Sequence, residues 1–68
     1  MVTFFMVTNV YTGWLSIPVT DFKAAEEQAA ALFEATLTGV RDGVRIIDDE
    51  GRAWRIDENG RSVAVGLL

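Results

Sequence analysis

The stretch VRIIDDEGRAWRIDENGRSVAVGL, residues 44–67, decides the fold. It holds three short runs rich in β-branched and aromatic residues, broken at Glu50-Gly51 and at Asn59-Gly60. Asn-Gly between alternating apolar residues is the strongest short-range hairpin signal, so the stretch reads as a three-strand antiparallel meander. The strands are Val44 to Asp49, Arg52 to Asp57 and Arg61 to Leu67. Two-residue loops at both turns would set Asp49 opposite Arg52 and Glu58 opposite Arg61. Ile47, Trp54, Ile56, Val63, Val65 and Leu67 would then share the core face, with Val44, Ile46, Ala53, Arg55, Asp57, Ser62 and Ala64 on the other. A short echo, Asp48-x-x-Gly51-Arg52 and Asp57-x-x-Gly60-Arg61, reads as turn chemistry, since repeat architectures need longer units and at least three copies.

Immediately upstream, residues 21–38 read as a helix. Phe22, Ala25, Ala29, Leu32, Phe33, Thr36 and Leu37 recur at spacings of three and four, which places them on one stripe. Thr20 or Asp21 can cap its start, and Gly39 stands where a left-handed residue closes many helices. Such a helix is about 27 Å long at ~1.5 Å per residue, enough to cross a small sheet.

The N-terminal segment, Val2 to Val10 and Trp14 to Val19 around Thr12-Gly13, reads as a β-hairpin. A two-residue loop would pair Tyr11 with Trp14, Asn9 with Ser16 and Thr8 with Ile17. That register puts Val2, Phe4, Met6, Val10, Leu15, Ile17 and Val19 toward the helix. The fold class expected is therefore α+β: a single domain over residues 1–68, in the order ββαβββ, with an antiparallel sheet packed on one amphipathic helix.

Composition narrows the chemistry. Half of the 68 residues are apolar and 24% are charged, the balance of a folded domain. So short a chain buries only roughly 60% of its unfolded surface, which leaves a thin stability margin. There is no cysteine and no histidine, which removes disulfides, thiolate nucleophiles, the commonest general base and the commonest metal ligand. No catalytic, cofactor-binding or metal-ligating residue is assigned, and no cofactor is expected. The acidic turns lack the alternating ligand spacing of a calcium loop. A domain of this size also offers little room for a catalytic pocket of ~300 Å³ or more, so an enzyme is not expected.

The net charge of −4 speaks against direct contact with nucleic-acid phosphates. Residues 1–20 carry no charged side chain but lack a basic leader and are broken by Asn9, Gly13 and Pro18, so neither a signal peptide nor a membrane anchor is read there. The expectation is a cytoplasmic protein with no membrane contact. Four arginines, Arg45, Arg52, Arg55 and Arg61, interleave with acids and read as a solvated surface of cross-strand ion pairs.

The first hairpin points to a partner. If the helix covers the face named above, the other face of the hairpin leaves Phe5, Val7, Tyr11 and Trp14 outside, and exposed apolar clusters on small proteins mark contact surfaces. Tyr and Trp are also enriched at interface hot spots. Those four residues are the candidate protein-binding site, with a second copy or a foreign protein as the partner. The competing reading is that the sheet closes over this face as ordinary core. Two other function classes fit the composition: an acidic mimic of nucleic acid, built on Glu26, Glu27, Glu34 and Asp42, and a structural subunit of a larger assembly.

Overall fold

The structure, a computed structural model, describes residues 3–67. Its elements follow in the order β1 (Phe5–Asn9), α1 (Phe22–Ala35), a 3-10 turn (Arg41–Gly43), β2 (Val44–Asp48), β3 (Arg52–Ile56) and β4 (Ser62–Leu67). The strands form one antiparallel sheet in the order β1-β2-β3-β4, and α1 packs across β1 and β2 and touches β3. This is the α+β class read from the sequence.

The meander forms, but each of its loops has three residues instead of two. Gly51 donates its N–H to the Asp48 carbonyl at 3.2 Å, and Gly60 donates to the Asp57 carbonyl at 3.0 Å. Both glycines sit at positive φ, +84° and +79°, the left-handed residue that ends a three-residue hairpin loop. The aspartate ahead of each glycine locks the turn. Asp48 Oδ1 accepts from the N–H groups of Glu50 and Arg52 at 3.0 and 2.8 Å, and Asp57 Oδ1 accepts from those of Asn59 and Arg61, both at 2.9 Å. The nine-residue echo is therefore one turn built twice.

One extra loop residue reverses which side chains share a face. Ile46 lies opposite Trp54, and Trp54 opposite Ala64. Val44 and Ile46, expected outside, are buried beside Ile56, whereas Ile47 and Val63 share the far face and Val65 is exposed. An irregularity opposite Ala53 and Trp54 interrupts the register of β4 near Val65.

The N-terminal turn also has a longer loop than expected. Residues 10–13 form its loop, with Thr8 opposite Leu15 and Phe5 opposite Val19. Phe5 and Val7 face the helix, while Phe4, Val10, Leu15 and Ile17, expected in the core, are exposed. Met6 is half-buried on the far face, and Val2 lies outside the described residues. The second strand of the hairpin is reduced to isolated bridges, so the observed order is βαβββ. Two residues explain the reduction: Ser16 uses its hydroxyl, at 2.8 Å, to accept the Val7 N–H, and Pro18 has no N–H to give.

Asp21 caps α1, accepting from the Lys23 N–H at 3.3 Å, but the helix stops at Ala35, short of Gly39. Thr36 leaves the helical conformation and bonds its hydroxyl back to the Leu32 carbonyl at 2.6 Å. Arg41 then seals the end: its Nε and Nη2 both reach the Thr36 carbonyl, and its guanidinium lies 5.3 Å from the centre of the Phe33 ring. Leu37, beyond that end, is exposed. The core gathers Val7, Ala25, Ala29, Val44, Ile46 and Ile56, with Phe5, Phe22 and Trp54 meeting edge to face at centroid distances of 5.0 to 6.1 Å.

Candidate protein-binding surface

The four residues singled out in the sequence divide into two pairs. Phe5 and Val7 lie beneath the helix, Val7 with no exposed surface, so they are corrected to core. The reason is which face α1 covers: Phe22 packs on Phe5 at a centroid distance of 5.3 Å, and Val7 lies in the core with Ala25 and Ala29. Tyr11 and Trp14 are 61% and 45% exposed and stay outside.

Asn9 organises the loop that carries them. It is nearly buried, and its Oδ1 accepts from the N–H groups of Tyr11 and Thr12 at 2.9 and 3.2 Å. Its Nδ2 donates to the Val40 carbonyl at 3.0 Å, tying the loop to the segment ahead of β2. Val10 donates to the Gly43 carbonyl at 2.9 Å, and the Gly13 N–H returns to the Asn9 carbonyl at 2.8 Å. The Thr8 hydroxyl reaches the Trp14 carbonyl at 2.6 Å, and Thr12 Oγ1 accepts from the Trp14 N–H at 3.3 Å. The exposed rings therefore stand on backbone held at both ends.

Leu15 and Ile17, expected in the core, also belong to this surface. Leu15 is 56% and Ile17 82% exposed, and Val10 and Phe4 are exposed with them. Asn9, which accepts the N–H groups two and three residues on, marks the turn by a device related to that of the two aspartates, but no local signal marks the exposure of Leu15 and Ile17.

The charged side chains arrange differently from the expected cross-strand pairs. Arg52 holds Asp48 at 2.6 Å and Glu50 at 3.3 Å across the turn. Arg45 and Arg55 lie opposite each other, and Arg45 turns its guanidinium to the carbonyls of Asp42 and Val44. Burial opposes ionisation of Asp48, but the Arg52 N–H, the Arg52 guanidinium and the Glu50 N–H together hold its carboxyl below the usual range. Hydrogen bonds from Ser62 hold Glu26 below its usual value, and those from the Arg61 and Asn59 N–H groups do so for Asp57 against a burial penalty.

An open cleft of about 330 Å³ lies between α1 and the β3–β4 turn, lined by Ala30, Ala31, Phe33, Glu34, Glu58, Asn59 and Gly60. It is larger than the sequence led one to expect, and its helix wall includes the small side chains of Ala30 and Ala31. Its lining offers two carboxylates and an amide but no hydroxyl or amine nucleophile. Among the described residues no helix is long and apolar enough to cross a membrane, and no group of three or more acidic side chains is placed to hold a metal ion. No protein-family model, no curated protein and no solved structure matches this chain.

Proposed function

We propose that this chain is a non-enzymatic protein-binding module that engages a partner protein through residues 10–17, with Tyr11 and Trp14 as the anchors. The observation that carries the reading is exposure combined with rigidity. Large apolar side chains stand in solvent on a loop whose backbone is tied down by Asn9, Thr8 and Gly43. A loop backbone already held in place loses little freedom on docking, and Tyr and Trp are among the residue types that dominate interface energetics. The flanking chain supports a largely apolar contact, since residues 3–20 carry no charged side chain.

The acidic-mimic reading has less support. Of the four acids on which it rests, Glu26 is engaged within the fold by Ser62, while Glu27, Glu34 and Asp42 are exposed.

The test is solution mass by light scattering over a concentration series, for the native chain and for Trp14→Glu. A native dimer that the substitution converts to a folded monomer identifies a second copy as the partner. A native monomer assigns the surface to a foreign protein, to be identified by crosslinking from position 14 and compared with the same experiment on the variant. If Trp14→Glu changes neither the mass nor the crosslinked species, residues 10–17 are not the contact.

A further inference from the structure

The sheet has two edges, and they are treated differently. The β1 edge is covered by the returning segment: Phe5 and Val19 exchange N–H groups at 2.7 and 2.8 Å, Ser16 donates to the Val7 carbonyl at 2.8 Å, and Asn9 donates to the Trp14 carbonyl at 3.1 Å. Among the described residues β4 has no strand beyond it. From Ser62 to Leu67 it carries neither a charge nor a proline, the devices that commonly keep an edge from pairing with another chain.

Register identifies the free backbone groups. Asp57 and Arg61 are a hydrogen-bonded pair, with the Asp57 N–H on the Arg61 carbonyl at 2.8 Å. Ser62 and Ala64, opposite Ile56 and Trp54, are then the positions whose N–H and C=O point away from β3. Glu26 occupies the first of them. Its Oε2 crosses from the helix to accept the Ser62 N–H at 3.2 Å and also takes the Ser62 hydroxyl.

We propose that Glu26 is an edge guard, a side chain that stops a second copy of this chain from adding to β4. The occupant follows from the strand itself. In an antiparallel β4–β4 pair about a two-fold axis at Val63, Ser62 of each copy faces Ala64 of the other, and the two exchange N–H and C=O groups. No charged residue lies opposite another in residues 62–64, so nothing electrostatic in the strand opposes the pairing. With the Ser62 N–H held by Glu26, half of those main-chain bonds cannot form, and the Glu26 side chain lies over the edge that a partner strand must approach. A second copy is the occupant because β1 is already covered, which leaves one open edge among the described residues of each chain and makes the assembly a closed pair.

The experiment compares the chain with Glu26→Ala, and with Glu26→Ala combined with Ala64→Pro, all in the Trp14→Glu background so that contacts through residues 10–17 do not contribute. Proline at an outward-facing edge position removes only the free N–H and leaves the β3 pairing intact. Sedimentation over a concentration series should show a twofold rise in mass for Glu26→Ala, reversed by Ala64→Pro. A folded Glu26→Ala chain whose mass stays at that of its parent overturns the proposal, as does association that Ala64→Pro leaves unchanged. Amide hydrogen exchange on the native chain gives an independent reading: the Ser62 amide should exchange at least about tenfold more slowly than that of Ala64. Equal exchange at the two positions also overturns it.

Discussion

The ring of Tyr11 lies over the backbone of Gly43: a Cβ at position 43 would stand 2.6 Å from Cδ2 of Tyr11 and 2.8 Å from Oδ1 of Asn9. The ring and the asparagine together leave room for glycine alone. The contact joins the exposed loop to the residue that precedes β2, so the shape of the candidate surface depends on a residue that lies outside it.

Gly43→Ala is expected to destabilise the chain by about 1–3 kcal/mol, the usual range for overfilling a packed site. Adding Tyr11→Ala should recover only part of the loss, because Asn9 is held by Tyr11 N–H, Thr12 N–H and the Val40 carbonyl and cannot move aside. Urea denaturation of the two variants checks this. Full recovery in the double variant would show that Asn9 yields.

Neighbouring isoleucines on β2 should respond unequally. Ile46 is fully buried in the core, while Ile47 is half-buried on the uncovered face. Ile46→Ala should lower stability by about 2–5 kcal/mol. Ile47→Ala should have the smaller effect, and Ile17→Ala, at 82% exposed, should stay within about 0.5 kcal/mol. The opposite ranking of Ile46 and Ile47 would restore the register of a two-residue loop.

The turn glycine and the glycine beyond the helix make a second contrast. Gly60 is held at φ +79°, where an L side chain costs roughly 1–2 kcal/mol, so Gly60→Ala should destabilise by about that much. Gly39 has no positive φ, and no atom lies within 4 Å of where an alanine methyl would stand, so Gly39→Ala should be neutral or stabilising by about 0.4–1 kcal/mol. Thermal denaturation of both variants measures the difference.

Acid should unfold the chain through particular carboxylates. Asp48, Asp57 and Glu26 all have their pKa values lowered by hydrogen bonds in the folded state. A depressed pKa contributes stability that is complete above the ordinary carboxylate values near ~4 and is lost as pH falls through the lower, folded values. The urea midpoint should therefore be flat at neutral pH and fall below about pH 4. Asp57→Asn should make that fall shallower, because the hydrogen bonds from the Arg61 and Asn59 N–H groups no longer depend on an ionised carboxylate.

Local chemistry in the chain determined where the elements lie. Asp-x-x-Gly-Arg marks two turns because an aspartate can accept the N–H groups that a tight turn leaves free, and the spacing of Phe22, Ala25, Ala29, Leu32 and Phe33 makes a helix stripe in any context. Tertiary structure decided which strand face that stripe covers. Glu50-Gly51 and Asn59-Gly60 suit a two-residue loop as well as the end of a three-residue one, and a slip of one residue reverses a whole strand. Because β1 and β2 carry large apolar side chains on both faces, hydrophobic pattern could not choose between them. The choice followed from long-range contacts that local sequence does not encode: Phe22 against Phe5 and Trp54, Asn9 reaching Val40, and Glu26 reaching Ser62. Those contacts took Phe5 and Val7 into the core and left Tyr11 and Trp14 in solvent.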